Sequence, residues 1–195
     1  MIKKPPGLPF LVVFSAAAAT LLAGASHPSW SKFDAFLYGL PAGFLLLTYW
    51  AMRMAWADHK GTVPDGVFTR SLIPCYISAV VLLALVTGAP AWVRFTISET
   101  SMAAYVKAVH ENPGHGERCQ WVGLYHACDV RRHEDIPTGK EIPGSVEFSA
   151  RDPFLPDDRG FLWLPSGEPS ENADGGNHYS HLKGHWYSYR YDPSW

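Results

Sequence analysis

Three apolar runs, none holding a charged residue, divide the first half of the chain at 8–25, 35–52 and 72–93. Their apolar positions do not alternate with polar ones at the helical period, so they lack the polar face of a helix lying on a soluble core. A helix needs about 17–25 apolar residues to cross a hydrocarbon layer, and lipid offers unpaired backbone groups no partner, which favours helices over open strands. The pattern predicts three transmembrane helices and a transmembrane domain over residues 1–93. The first run also fits a secretory leader: Lys3 and Lys4 precede it, and Ala23-Gly24-Ala25 stands before Ser26 like a cleavage site. Either reading sends residue 26 to the same side.

Beyond residue 93 the pattern changes. Met102, Tyr105, Val106 and Val109 recur at helical spacing behind Ser98, which fits an N-cap with Glu99 in the first turn, and Asn112-Pro113-Gly114 fits a stop. Four β-prone runs follow, at 120–130, 144–150, 160–164 and 185–191, parted by clusters such as 137–139, 156–160 and 165–169. The expected fold is an α+β membrane protein. Its three transmembrane helices precede a small domain over 94–195, with one helix and about four antiparallel strands.

Charge follows the same division. Only nine charged residues fall in 1–93, for a net +3, and the remaining 25 fall in 94–195, for a net −5. This excludes a basic nucleic-acid binder. Lys3, Lys4, Arg53, Lys60 and Arg70 against Lys32 alone in the first loop place the N-terminus and second loop in the cytoplasm, and the polar domain outside a plasma membrane. Tyr49, Trp50 and Trp56 at one interface, and Trp30, Phe33 and Trp92 at the other, fit aromatic belts. Gly39 and Gly43 form a G-x-x-x-G that would let helices approach closely, within the chain or in a homo-oligomer. No Asp, Glu, Lys, Arg or His lies inside a run, which argues against a transporter or proton relay.

Cysteine and histidine carry the candidate chemistry. Cys75 falls in the third run, whereas Cys119 and Cys128 share the polar half, where an oxidising compartment favours a disulfide. On one straight strand the two would stand about 30 Å apart, so a bridge requires a turn between them, with Gly123 a candidate. The bond would add roughly 2–3 kcal/mol by the loop-entropy argument. His126, Cys128, His178, His181 and His185 are conceivable zinc ligands, although their spacing matches no finger motif. The histidines also fit a pH sensor. There is no G-x-S-x-G, H-E-x-x-H or phosphate-cradling loop. A hydrolase would need Ser180 beside His181 or His178. Trp186, Tyr187, Tyr189 and Tyr191 alternate along one strand, either as a core face or as an aromatic platform for a glycan, peptide or protein.

WVRFTIS, VGLY, GFLWLPSGEP and YSHLKGHWY resemble strings of small multi-pass membrane proteins of actinobacterial type with no assigned activity. The resemblance implies no catalytic residue or cofactor. The reading that follows is a membrane-anchored accessory protein, in contact with membrane lipids, that presents its outer domain to a protein or envelope component. The alternatives are a histidine-based metal or pH module, and a hydrolase.

Overall fold

The segments that the pattern marks as apolar become helices, but not with the expected bounds. The computed structural model describes residues 7–28, 40–59, 72–116, 118–135, 139–151, 159–169 and 177–191. The helices are α1 (Leu8–Ala25), α2 (Leu40–His59), α3 (Ile73–Thr87) and α4 (Ala89–Glu111). The chain divides into two compact units: Met1–Ala25 with Trp30–Pro90, and Ser26–Ser29 with Ala91–Trp195.

In the first unit α1 packs on α3, and Phe10 of α1 meets Tyr49 of α2 with ring centroids 5.6 Å apart. Large apolar side chains remain exposed there, including Val12, Phe44, Leu45, Val80, Leu83 and Val86. The expectation of three spans is corrected. Among the described residues only Leu8–Ala25 is long and apolar enough to cross a membrane, or two spans if Ile73–Thr87 and Ala89–Glu111 count as one broken span. The reasons are local. α2 continues beyond residue 52 through Arg53, Asp58 and His59, which dilutes its hydropathy. α3 stops at Gly88, whose φ of 67° suits glycine and whose N–H caps the carbonyls of Ala84 and Leu85. The 15 residues before that stop span only about 22 Å at 1.5 Å per residue. The loop-charge argument for an inside N-terminus and an outside C-terminal domain loses its basis with the third span. Gly39 lies outside the described residues, and Gly43 faces open space.

In the second unit α4 lays one stripe on a sheet. Phe95, Ser98, Met102, Tyr105 and Val106 are its buried residues, the spacing that one helix face requires. Ser98 is therefore an interior residue of α4, not an N-cap. The strands are β1 (Gln120–Val122), β2 (Tyr125–Arg131), β3 (Glu134–Asp135), β4 (Lys140–Glu141), β5 (Val146–Arg151), β6 (Arg159–Trp163), β7 (Asn177–Lys183) and β8 (Trp186–Tyr191). Six form an antiparallel sheet in the order β1-β2-β5-β6-β8-β7, and β3 pairs with β4. Eight strands replace the expected four.

Side chains alternate across the sheet. Tyr125, Ala127, Val146, Phe148, Ala150, Phe161 and Trp186 turn toward α4 and make the main core with it. Leu162, Tyr189, Tyr179 and Tyr187 turn to the opposite face, where Ile142 and Leu164 join them.

Candidate functional site

One edge of the sheet is β1, three residues long, lying beside α4. Its position is fixed at both ends. The β1–β2 turn places Gly123 at φ 63°, with an added Cβ only 2.7 Å from the Ser98 Cβ and 2.9 Å from its Cα. Only glycine fits there. Ser98 Oγ accepts the Leu124 N–H at 3.0 Å. Arg94 donates to the Leu124 carbonyl through Nε (3.2 Å) and Nη2 (2.6 Å), and its guanidinium lies 4.4 Å from the Tyr125 ring centroid. At the other end Cys119 and Cys128 form a disulfide with a Cα–Cα distance of 4.3 Å. They continue the register in which Gln120 pairs with Ala127, so the bond crosses the hairpin between facing positions. The disulfide expected from sequence is present, with the turn at Gly123.

Between α4 and this hairpin lies an open groove of about 330 Å³, lined by Ser101, Ala104, Tyr105, Ala108, Gln120, Trp121, Val122 and Gly123. That is near the lower end of typical ligand sites, about 300–1,000 Å³. Ala104, Ala108 and Val122 give it an apolar floor. Ser101, Tyr105 and Gln120 supply neutral hydrogen-bonding groups, and no charged side chain lines it among the described residues. Burial raises the Tyr105 pKa, and the nearby Gln120 amide offsets part of that rise. Gln120 Nε2 is buried, and its amide is turned to the Tyr105 hydroxyl. Trp121, between Gln120 and Val122 on β1, turns its indole to the opposite face of the sheet, 71% exposed, with the His126 ring 5.3 Å away.

The opposite face of the sheet holds a polar network of another kind. Glu147, 2% exposed, accepts from Arg131 at Oε1 and from His133 Nδ1 at Oε2, the latter at 3.0 Å. Burial pushes the Glu147 carboxyl upward, but the hydrogen bonds and charges of His133 and Arg131 outweigh it and hold the pKa below its ordinary value. Tyr189 lies in the same network. Burial first, then the Glu147 charge, pushes its phenol well above the usual range. Both carboxylate oxygens are occupied within the fold, so this cluster holds strands together and does not present a free acid to a ligand.

The residues singled out from sequence do not converge. Trp186 and Tyr189 are buried, Tyr187 is half-buried and Tyr191 is exposed, and they divide between the two faces. His181 bonds the Gly184 carbonyl from β7, His185 stacks on Trp163 at 5.0 Å, and His178 stands opposite Arg190. Cys128 is spent in the disulfide. The described residues hold no group of three metal-ligating side chains, which corrects the metal reading. Ser180 and His181 are neighbours on a strand and face opposite sides, which separates that pair, whereas His178, two residues from Ser180, shares its face. Sequence reasoning missed β7 and the roles of Arg94, Ser98 and Gln120.

No protein-family model matches the chain, and neither a curated protein nor a solved structure does. The similarity to small multi-pass membrane proteins is thereby corrected, because the strings that carried it find no family and the described residues hold one qualifying helix, at most two. The reading as a membrane-anchored accessory protein goes with it. One such helix does not establish membrane lipids as a firm partner, and no feature identifies a specific protein partner. What stands is a folded helix-on-sheet unit with internal ion pairs and one cross-strand disulfide.

Proposed function

We propose that the helix-on-sheet unit binds a neutral saccharide in the groove between α4 and β1. The observation that carries this is a neutral, partly apolar groove in which the Gln120 amide and the Tyr105 hydroxyl stand together. A sugar ring has an apolar C–H face that Ala104, Ala108 and Val122 can receive and a rim of hydroxyl oxygens that accept hydrogen bonds. The Gln120 amide carries two N–H bonds, and the one not turned to Tyr105 would donate to such an oxygen. Ser101 and Tyr105 can donate or accept as the hydroxyl pattern demands. The absence of charge on the lining residues disfavours phosphate or carboxylate ligands, which need a cation to replace lost hydration.

Calorimetric titration of the whole protein with neutral gluco-, manno- and chito-oligosaccharides tests this. Binding by at least one series is expected. It should weaken at least about tenfold, the equivalent of about 1.4 kcal/mol, in Gln120→Ala. Trp121 faces the other side of the sheet and is mostly exposed, so Trp121→Ala should leave both the affinity and the thermal midpoint nearly unchanged. Failure of every series to bind at millimolar concentration overturns the proposal, as does unchanged affinity in Gln120→Ala.

A further inference from the structure

We infer that the Cys119–Cys128 disulfide is a redox control on the groove, an inference that rests on the saccharide reading of that site. The two sulfurs differ in access. Cys119 is exposed, whereas Cys128 is fully buried. A dithiol reductant can reach the bond only from the Cys119 side. Its thiolate attacks Cys119 Sγ, the S–S bond breaks, and Cys128 leaves as a thiolate that takes up a proton. The second thiol of the reductant then attacks the mixed disulfide, Cys119 is released and protonated, and the reductant ends as its own disulfide. Two electrons and two protons pass from the dithiol to the protein.

The consequence is confined by how the groove walls are held. α4 is anchored independently by Phe95, Met102, Tyr105 and Val106 in the core. β2 stays paired with β5 from His126 to Arg131. The turn end of the hairpin stays clamped by Ser98 and Arg94. β1 lies at the edge of the sheet, with β2 as its one strand partner, and its N-terminal end is tied to β2 by the disulfide. Reduction therefore releases the end that carries Gln120, the β1 side chain that would donate to the ligand. A short edge strand with one covalent tie is drawn from the low-stability end of a fold.

The experiment compares oxidised and dithiothreitol-reduced protein in a Cys75→Ser background, because Cys75 is an exposed third thiol. Amide hydrogen exchange should quicken by about tenfold or more over residues 119–123 after reduction, and stay unchanged over 95–109 and 146–151. Affinity for the oligosaccharide series should fall at least about tenfold and return on reoxidation. Unchanged exchange in β1 overturns the inference. So does loss of protection across the whole sheet, which would make the bond a general staple, and so does unchanged affinity after reduction. The double variant Cys119→Ser/Cys128→Ser should match the reduced protein. If β1 loosens while the oxidised protein binds no saccharide, the redox release of the strand is supported and only the ligand reading fails.

Discussion

Glu147 shows how a charge is kept inside the sheet. Its side chain is nearly fully buried, as is that of His133, while Arg131 reaches in from the surface. The cost of desolvation is offset because each carboxylate oxygen has its own donor. A carboxyl whose folded pKa is depressed stabilises the fold above its unfolded pKa, about 4.3, and that contribution is lost as pH falls through the folded value. The urea midpoint should therefore fall on acidification below about pH 4, with Glu147 contributing. In Glu147→Gln that part of the acid slope should vanish, at a cost of roughly 1–3 kcal/mol at neutral pH for the two weakened hydrogen bonds. An acid limb identical in the variant would show that other carboxylates set it. This network was not legible in the sequence. Arg131, His133 and Glu147 read as ordinary polar positions until the irregular register between Cys128 and Arg131 turns Arg131 onto the face that Glu147 occupies.

At the scale of elements, legibility followed periodicity. The α4 stripe from Met102 to Val109 was readable because helical spacing survives any context. Strands β5, β6 and β8 were readable because their inward positions are large and apolar. β7 was not, since the run from Asn177 to Lys183 is mostly polar and joins the sheet as an edge, where one-sided burial suffices. β1 and β2 were read as one run because the residues at their turn include apolar Leu124. Two glycines in the hairpin turns of this sheet separate backbone conformation from packing. Gly123 and Gly184 both have positive φ, 63° and 57°, but an added Cβ at Gly123 collides with Ser98 while at Gly184 it meets nothing within 4 Å. Gly184→Ala should cost only the left-handed penalty, roughly 1–2 kcal/mol. Gly123→Ala should cost about 1–3 kcal/mol more for the overlap, because the backbone of α4 cannot yield as a side chain can. Thermal midpoints of the two variants measure the difference, and equal shifts would mean that the hairpin is not seated on Ser98 as described.

For the whole molecule, the division by hydropathy and charge separates an apolar half from a polar one, yet the folded unit does not follow sequence order. His27 belongs to the helix-on-sheet unit, although it stands in the polar break after the first apolar run. It is 1% exposed, and its Nε2 contacts the Ala150 carbonyl of β5 at 2.9 Å across 123 positions of sequence. Ser26 Oγ likewise accepts from Arg94 Nη1 at 3.1 Å, so this segment reaches the same arginine that clamps the β1–β2 turn. No local pattern marks such a contact: one histidine in a short loop has no periodicity to reveal it, and its partner is a backbone carbonyl, which every residue possesses. The consequence is that a fragment beginning at Ala91 lacks part of its own fold. His27→Ala in the whole protein leaves a buried carbonyl without its donor, which should cost roughly 1–3 kcal/mol. For a unit near 100 residues, each kcal/mol corresponds to about 4–8 °C in midpoint. The loss should fall on the sheet first, so amides near Ala150 in β5 should exchange faster while those of α1 keep their protection. A midpoint unchanged in His27→Ala, or a 91–195 fragment as stable as the whole chain's sheet unit, would show that the segment rests on the domain without supporting it.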